Sequence, residues 1–188
     1  MSGVSSGSLE SKHKQLLFPK FQVAAQTYTQ LLNCHTIVNC ANGFALDIFW
    51  SKENFKHLCG AWCDRPGKEV KNTTEAEYFY DCMLSKKSTW RLLHFSPKNF
   101  SSVFAKSLVL PTALDHSNWT SCKITDSTIA ALAWLMGNTV WFIGLGESNN
   151  ESSYVKGTNV CYPKSMRKQN INVKSGKSQY PIQSVQII

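Results

Sequence analysis

Hydrophobic spacing changes period several times along this chain, and each change marks an element. From Phe21 to Leu32, Phe21, Ala24, Ala25, Tyr28, Leu31 and Leu32 recur every three or four positions, which is the spacing of one helix face. Pro19 precedes them and suits a helix start. Thr36 to Cys40 and Phe44 to Trp50 read as strands. In the second, Phe44, Leu46, Ile48 and Trp50 alternate with Ala45, Asp47 and Phe49, as on the two faces of a sheet. Ala41-Asn42-Gly43 between them is hairpin chemistry, because Asn and Gly tolerate positive φ.

The alternation stops at Ser51, a predicted N-cap. A short helix runs on to Leu58, carries His57 and ends at Gly60, a predicted C′ residue. Thr73 or Thr74 caps the next helix, Glu75 to Leu84, whose two early glutamates suit the positive end of the dipole. Ser96-Pro97 opens another, Lys98 to Ser107, and Pro111 ends that region. Asp126 is read as the cap of a helix through Ile129, Leu132, Ala133 and Met136. Thr139 to Leu145 is apolar and β-prone, Tyr154 to Tyr162 reads as a strand, and Pro181 to Ile188 as a closing strand. The intervening residues, Arg167 to Gln179, are polar and basic. The expected fold class is therefore α+β, with helices packed on a small, mainly antiparallel β-sheet. A Gly/Ser-rich start predicts a flexible N-terminal segment over residues 1–15, followed by a single domain over 16–188.

Composition agrees with one packed domain. Hydrophobic residues make up 43% of 188, including 10 Phe, 6 Trp and 6 Tyr, which is enough for a core and excludes wholesale disorder. No apolar run approaches the length of a membrane span. The polar start lacks the apolar core of a secretory leader, and seven cysteines fall without regular spacing. Together these predict free thiols and a cytoplasmic location without membrane attachment.

Charge changes the picture. The net charge is +8, and no acidic residue follows Glu151, whereas Lys156, Lys164, Arg167, Lys168, Lys174 and Lys177 do. Such a stretch is an electrostatic footprint for a polyanion, most commonly nucleic acid.

Candidate chemistry is sparse. Cys59 and Cys63 lie near His57, but zinc sites offer paired ligands at both ends of a loop, and no second pair exists; these cysteines read as buried thiols. No metal and no cofactor is expected. Gly144-Leu145-Gly146 lacks the lysine and spacing of a phosphate-cradling loop. His57 stands out, because an imidazole on a short helix pinned by Phe55 and Leu58 can act as general acid or base at neutral pH. Tyr162-Pro163-Lys164-Ser165, at a strand end, groups a phenol, an ammonium and a hydroxyl that could bind a phosphate.

The order of these parts resembles a known family. Strand, hairpin, strand, "F-x-HL-x-G" (Phe55 to Gly60), a helical middle, an apolar strand and "Y-P-x-S" (Tyr162 to Ser165) look like the phage-associated branch of the barnase–EndoU–colicin–RelE-like nucleases, over about Leu16 to Lys168. The resemblance implies a metal-independent endoribonuclease, a toxin or phage and mobile-element conflict protein. The motif histidine maps onto His57 and the motif serine onto Ser165. Such an enzyme must deprotonate the ribose 2′-OH, stabilise a phosphorane-like transition state and protonate the leaving oxygen. His57 is the expected acid or base. Lys164 and Ser165 would hold the phosphate, and Tyr162 would stack on a base or donate a proton. Lys156, Arg167, Lys168 and Lys174 are expected to bind flanking phosphates, with His94, Arg91 and Lys106 as reserve candidates. The expected partners are RNA and an antitoxin or other protein that blocks the basic face. The alternative is a non-catalytic module on the same scaffold, binding nucleic acid, nucleotide or protein, such as a phage-encoded inhibitor.

Overall fold

The computed structural model describes residues 6–64, 73–148 and 152–188. Its first helix, α1 (Ser6–Tyr28), buries Phe21, Ala24, Ala25 and Tyr28 of the predicted face together with Leu17 and Phe18 before it, and ends before Leu31 and Leu32. The helix begins well before Pro19, which lies inside it. Residues 6–15, expected to be flexible, are thus helical, and residues 1–5 lie outside the described residues. A Lys14–Glu10 ion pair of 2.9 Å supports the added turns, as charges four residues apart on a helix do.

β1 (His35–Cys40) and β2 (Ala45–Phe49) form the predicted hairpin, with Gly43 at φ 82°. α2 (Lys52–Cys59) follows directly. The Asn54 side-chain oxygen accepts from the Ser51 N–H at 2.8 Å and from its hydroxyl at 3.1 Å, which fixes the first turn. Gly60 ends the helix at φ 71°, a left-handed conformation that favours glycine. α3 (Glu75–Leu84) starts as predicted, with reciprocal Thr74 and Glu77 bonds. It lies in sequence between the strands of a small ribbon, β3 (Trp62–Cys63) and β4 (Leu93–His94). α4 (Phe100–Leu114) runs on through Pro111, which does not end it.

The remaining strands are β5 (Lys123–Ser127), β6 (Trp134–Gly137), β7 (Phe142–Ser148), β8 (Val160–Arg167) and β9 (Ser175–Ile187). Their order is β1-β2-β8-β7-β6-β5-β9, closed into a seven-stranded barrel. This corrects the expected small, open sheet with packed helices. Three local readings are corrected: the strand expected over Tyr154 to Tyr162 is Val160–Arg167, so Tyr162–Ser165 lies inside it rather than at its end, and two others account for the closure. The helix predicted from Asp126 to Met136 is the β5–β6 hairpin, whose connection carries Ala131 at φ 66°, a conformation no helix continues through. The closing strand begins at Ser175 rather than Pro181, and its polar first half pairs with β5 while its second half pairs with β1. With both strands restored the ring has no free edge. Every strand pair is antiparallel except β2–β8, where Asp47 and Ile48 run parallel to Val160 and Cys161.

One face of the sheet meets the helices. Val38, Leu46, Ile48, Ile143, Leu145, Cys161 and Met166 join α1 to α4 residues in one buried cluster. Trp50 and Trp119 stack in it at 5.5 Å, and both indole N–H groups are satisfied, by Thr36 Oγ1 and the Ala113 carbonyl. Tyr28 packs on Phe55 of α2 and donates to the Ser51 carbonyl at 2.7 Å, so the aromatic core seats α2 at its start.

On the other face, Asp47 is fully buried. Its carboxylate accepts from the Tyr154 N–H at 2.8 Å and from Ser153 Oγ at 3.3 Å, and meets His35 Nδ1 at 2.7 Å. A buried carboxylate is tolerated only when so supplied. Asp47→Asn is expected to lower the unfolding free energy by about 1–3 kcal/mol, the range for disrupting buried hydrogen bonds to a charged group. Urea unfolding measures the loss, and hydrogen exchange should show it concentrated at Ser153 to Thr158. Unchanged stability would remove the clamp from this account.

Candidate active site

Two depressions adjoin along β8, and α2 walls the first of them. The first, a cleft of about 640 Å³, is lined by Glu53, Asn54 and His57 of α2, by Phe49 and Ser51 before it, and by Ser148, Val160, Tyr162, Pro163 and Lys164. The second, of about 790 Å³, lies between the start of α4 and the end of β8, with Lys98, Lys106, Ser165, Arg167 and Lys168 among its walls.

His57 reaches the first cleft because of how α2 is seated. Phe55, Leu58 and Cys59 are buried beneath the helix, while Lys52–Asp81 and Lys56–Glu75 pairs of 2.7 and 2.6 Å tie its outer side to α3. That leaves Glu53 and His57, four residues apart and both exposed, on the side that lines the cleft. His57 makes no hydrogen bond to a described residue. Glu53 escaped the sequence reading, although its spacing from His57 on a well-capped helix was the available signal.

Opposite α2, the Tyr162–Ser165 stretch adopts a β-bulge. Leu145 of β7 pairs with Pro163 and Gly144 with Ser165, so Lys164 is the extra residue. Proline lacks the N–H that a regular inner strand would use, and bulges are where it is accommodated. A bulge also re-aims side chains. Lys164 is exposed at the cleft, whereas Ser165, expected beside His57, borders the second depression. Its Oγ is buried without a hydrogen-bond partner and faces Gly144, where an added Cβ would lie 2.7 Å from it. Tyr162 lies over Gly146, where an added Cβ would come within 2.8 Å of the ring. The Gly144-Leu145-Gly146 pattern, which is no phosphate loop, is thus the floor on which Ser165 and Tyr162 rest.

The basic candidates divide. Arg167 and Lys168 line the second depression together with Lys106. Lys156, exposed, and Lys174, half-buried, line neither. His94 pairs with Asp64 at 2.8 Å on the β3–β4 ribbon, and Arg91 lies 5.6 Å from the Trp90 ring; both stand outside the two depressions. Cys59 and Cys63 are buried, and among the described residues no three His, Cys, Asp or Glu side chains group as metal ligands.

Lys106 is unusual. Its Nζ lies near Gly60 at the end of α2, 3.3 Å from where a Cβ would be. Burial pushes its pKa down; the Cys59 thiol opposes this, and Arg167 adds to it.

Residues 20–185 match the phage-Barnase-EndoU-ColicinE5/D-RelE like nuclease 4 family. The chain belongs to that family. No curated protein and no solved structure matches it. As a member of this nuclease family, the chain has a nuclease-like function, and its helix α2 and strand β8 carry the two motifs that the sequence resemblance rests on. No described helix is long and apolar enough to cross a membrane.

Two outcomes follow for this site. Gly146→Ala should displace Tyr162 from its seat; a crystal structure of the variant, or quenched tyrosine packing by NMR, reads the shift, and an unmoved ring would refute it. Lys106→Met should raise the melting temperature at neutral pH, because the native state holds a charge that burial disfavours. The sign follows from linkage: between the lowered native value and the ordinary lysine value the unfolded chain binds more protons, so the wild type gains stability as pH rises. The variant's advantage should therefore narrow towards alkaline pH, and a pH-independent difference would contradict the argument.

Proposed function

We propose that the protein is a metal-independent endoribonuclease working in the cleft between α2 and β8. The observation that carries this reading is the convergence of Glu53, His57, Tyr162 and Lys164 on one cavity wall system. The groups supply opposite proton jobs. Glu53 takes the proton of the ribose 2′-OH as its oxygen bonds to phosphorus. Protonated His57 gives its proton to the departing 5′-oxygen as the P–O5′ bond breaks. The products are a 2′,3′-cyclic phosphate and a 5′-hydroxyl, so atoms and charge balance. Lys164, re-aimed by the bulge, stabilises the added negative charge on the phosphorane. Tyr162 offers a ring for base stacking, and its phenol is a second donor.

Arg167 and Lys168 would hold the neighbouring phosphate backbone, a contact that positions without reading sequence. A role as a toxin or phage-conflict protein belongs to the same proposal. So does action in the cytoplasm, where a protein inhibitor would cover the cationic face.

Labelled RNA incubated with the full chain in EDTA should be cut, leaving cyclic phosphate ends. His57→Ala and Glu53→Gln should each reduce kcat/KM by about 10²–10⁴-fold, and the pH–rate profile should be bell-shaped. Cleavage that EDTA abolishes would sink metal independence, and cleavage indifferent to both substitutions would sink the assignment of the cleft. RNA binding without cleavage would favour the non-catalytic module.

A further inference from the structure

The second depression is a cationic groove that the acid–base chemistry leaves unused. Lys98, Lys106, Arg167 and Lys168 line it with the Ser101 and Ser102 hydroxyls, and no carboxylate is among its lining residues. None of the four cations forms an ion pair with a described residue, although Lys14, Lys52 and Lys56 elsewhere on the chain all do. Lys106 is half-buried, and Arg167, which is exposed, lines the same groove. Like charges on one wall disfavour one another, and an anion seated between them offsets the repulsion.

The groove is continuous with the cleft through one strand. Lys164 lines the cleft, and three residues later Arg167 lines the groove. At roughly 3.3 Å per strand residue that step is about 10 Å. That exceeds the step between neighbouring phosphates of one strand, so a chain that fills both sites extends beyond the two nucleotides flanking the scissile bond. α2 lies close to both: His57 lines the cleft, and Gly60 adjoins Lys106, which lines the groove.

We propose that this groove is a phosphate-binding subsite for single-stranded RNA whose scissile phosphate occupies the cleft, which makes the substrate an oligonucleotide rather than a dinucleotide. The inference rests on the nuclease reading of the cleft and adds the path and minimum length of the substrate. Contacts to phosphate carry no sequence information, so the groove sets length and salt dependence, and base choice is left to the cleft.

The test separates binding from cleavage. Labelled 2′-O-methyl oligouridylates lack the attacking hydroxyl, and their fluorescence anisotropy with the full chain reports binding alone. The octanucleotide should bind more tightly than the dinucleotide. Arg167→Gln and Lys106→Met should each weaken the octanucleotide by about three- to tenfold and lower its log–log salt slope by about 0.7. The dinucleotide should lose less. Arg167 is exposed, so its variant retains the fold, and Lys106→Met, which relieves a buried charge, retains it as well. Equal affinity for the two lengths, or an octanucleotide that ignores Arg167→Gln, would overturn the proposal. A protein that binds the octanucleotide in this way but cuts no RNA would leave the subsite standing and remove the catalytic reading. RNA cleavage by a protein whose octanucleotide affinity ignores both substitutions would do the reverse.

Discussion

The Asp47 carboxylate is the point on which the architecture turns. The β2–β8 pairing is the single parallel junction in the barrel and joins the first half of the chain to the second. Parallel pairing is slightly weaker per residue than antiparallel, and this one has only two rungs. Asp47 sits on one of them, and its oxygens meet the His35 ring on β1 and bind the backbone that leads into β8. A fully buried carboxylate with fewer partners would oppose folding. Supplied from both sides, it fixes how β8 lies against β2.

That registration matters because α2 begins three residues after β2 ends. The helix has little slack, and Tyr28 and Trp50 hold its entry from the core. Where β8 sits against β2 therefore decides where Lys164 sits relative to Glu53 and His57. The site is assembled from two halves of the chain by one buried charge, and catalytic geometry depends on such supports as much as on the reacting groups.

The legible parts of this fold are those whose signals are local. Ser51, Asn54 and Gly60 announce α2, and Thr74 with Glu77 announces α3, because caps act within one turn. The alternation from Phe44 to Trp50 gives β2 at once. What stayed hidden depends on partners far along the chain. Ile129, Leu132 and Met136 keep helical spacing, yet β9 and β7 recruit their flanks as strands. In β9 only Ile182 is buried; backbone pairing on two sides orders a strand whose side chains show little reason to form one. The closed ring follows from these two strands and could not be read without them.

The site divides along the same line. His57, Tyr162 and Lys164 were legible as residue types, because an imidazole, a phenol and an ammonium each carry recognisable chemistry. Their grouping was not, since it rests on a bulge that exists only in register with Gly144 and Leu145. That bulge also explains why Ser165 parted from Lys164. Without the extra residue the two would still alternate, but neither depression would be bounded as it is. Pro163 provides the cause: it interrupts the ladder where the strand divides its side chains between a cleft that holds Glu53 and His57 and a groove that holds cations and no carboxylate. A regular strand of the same composition would mix these functions. The bulge thus divides one strand between the cleft of Glu53 and His57 and the groove of Lys106 and Arg167.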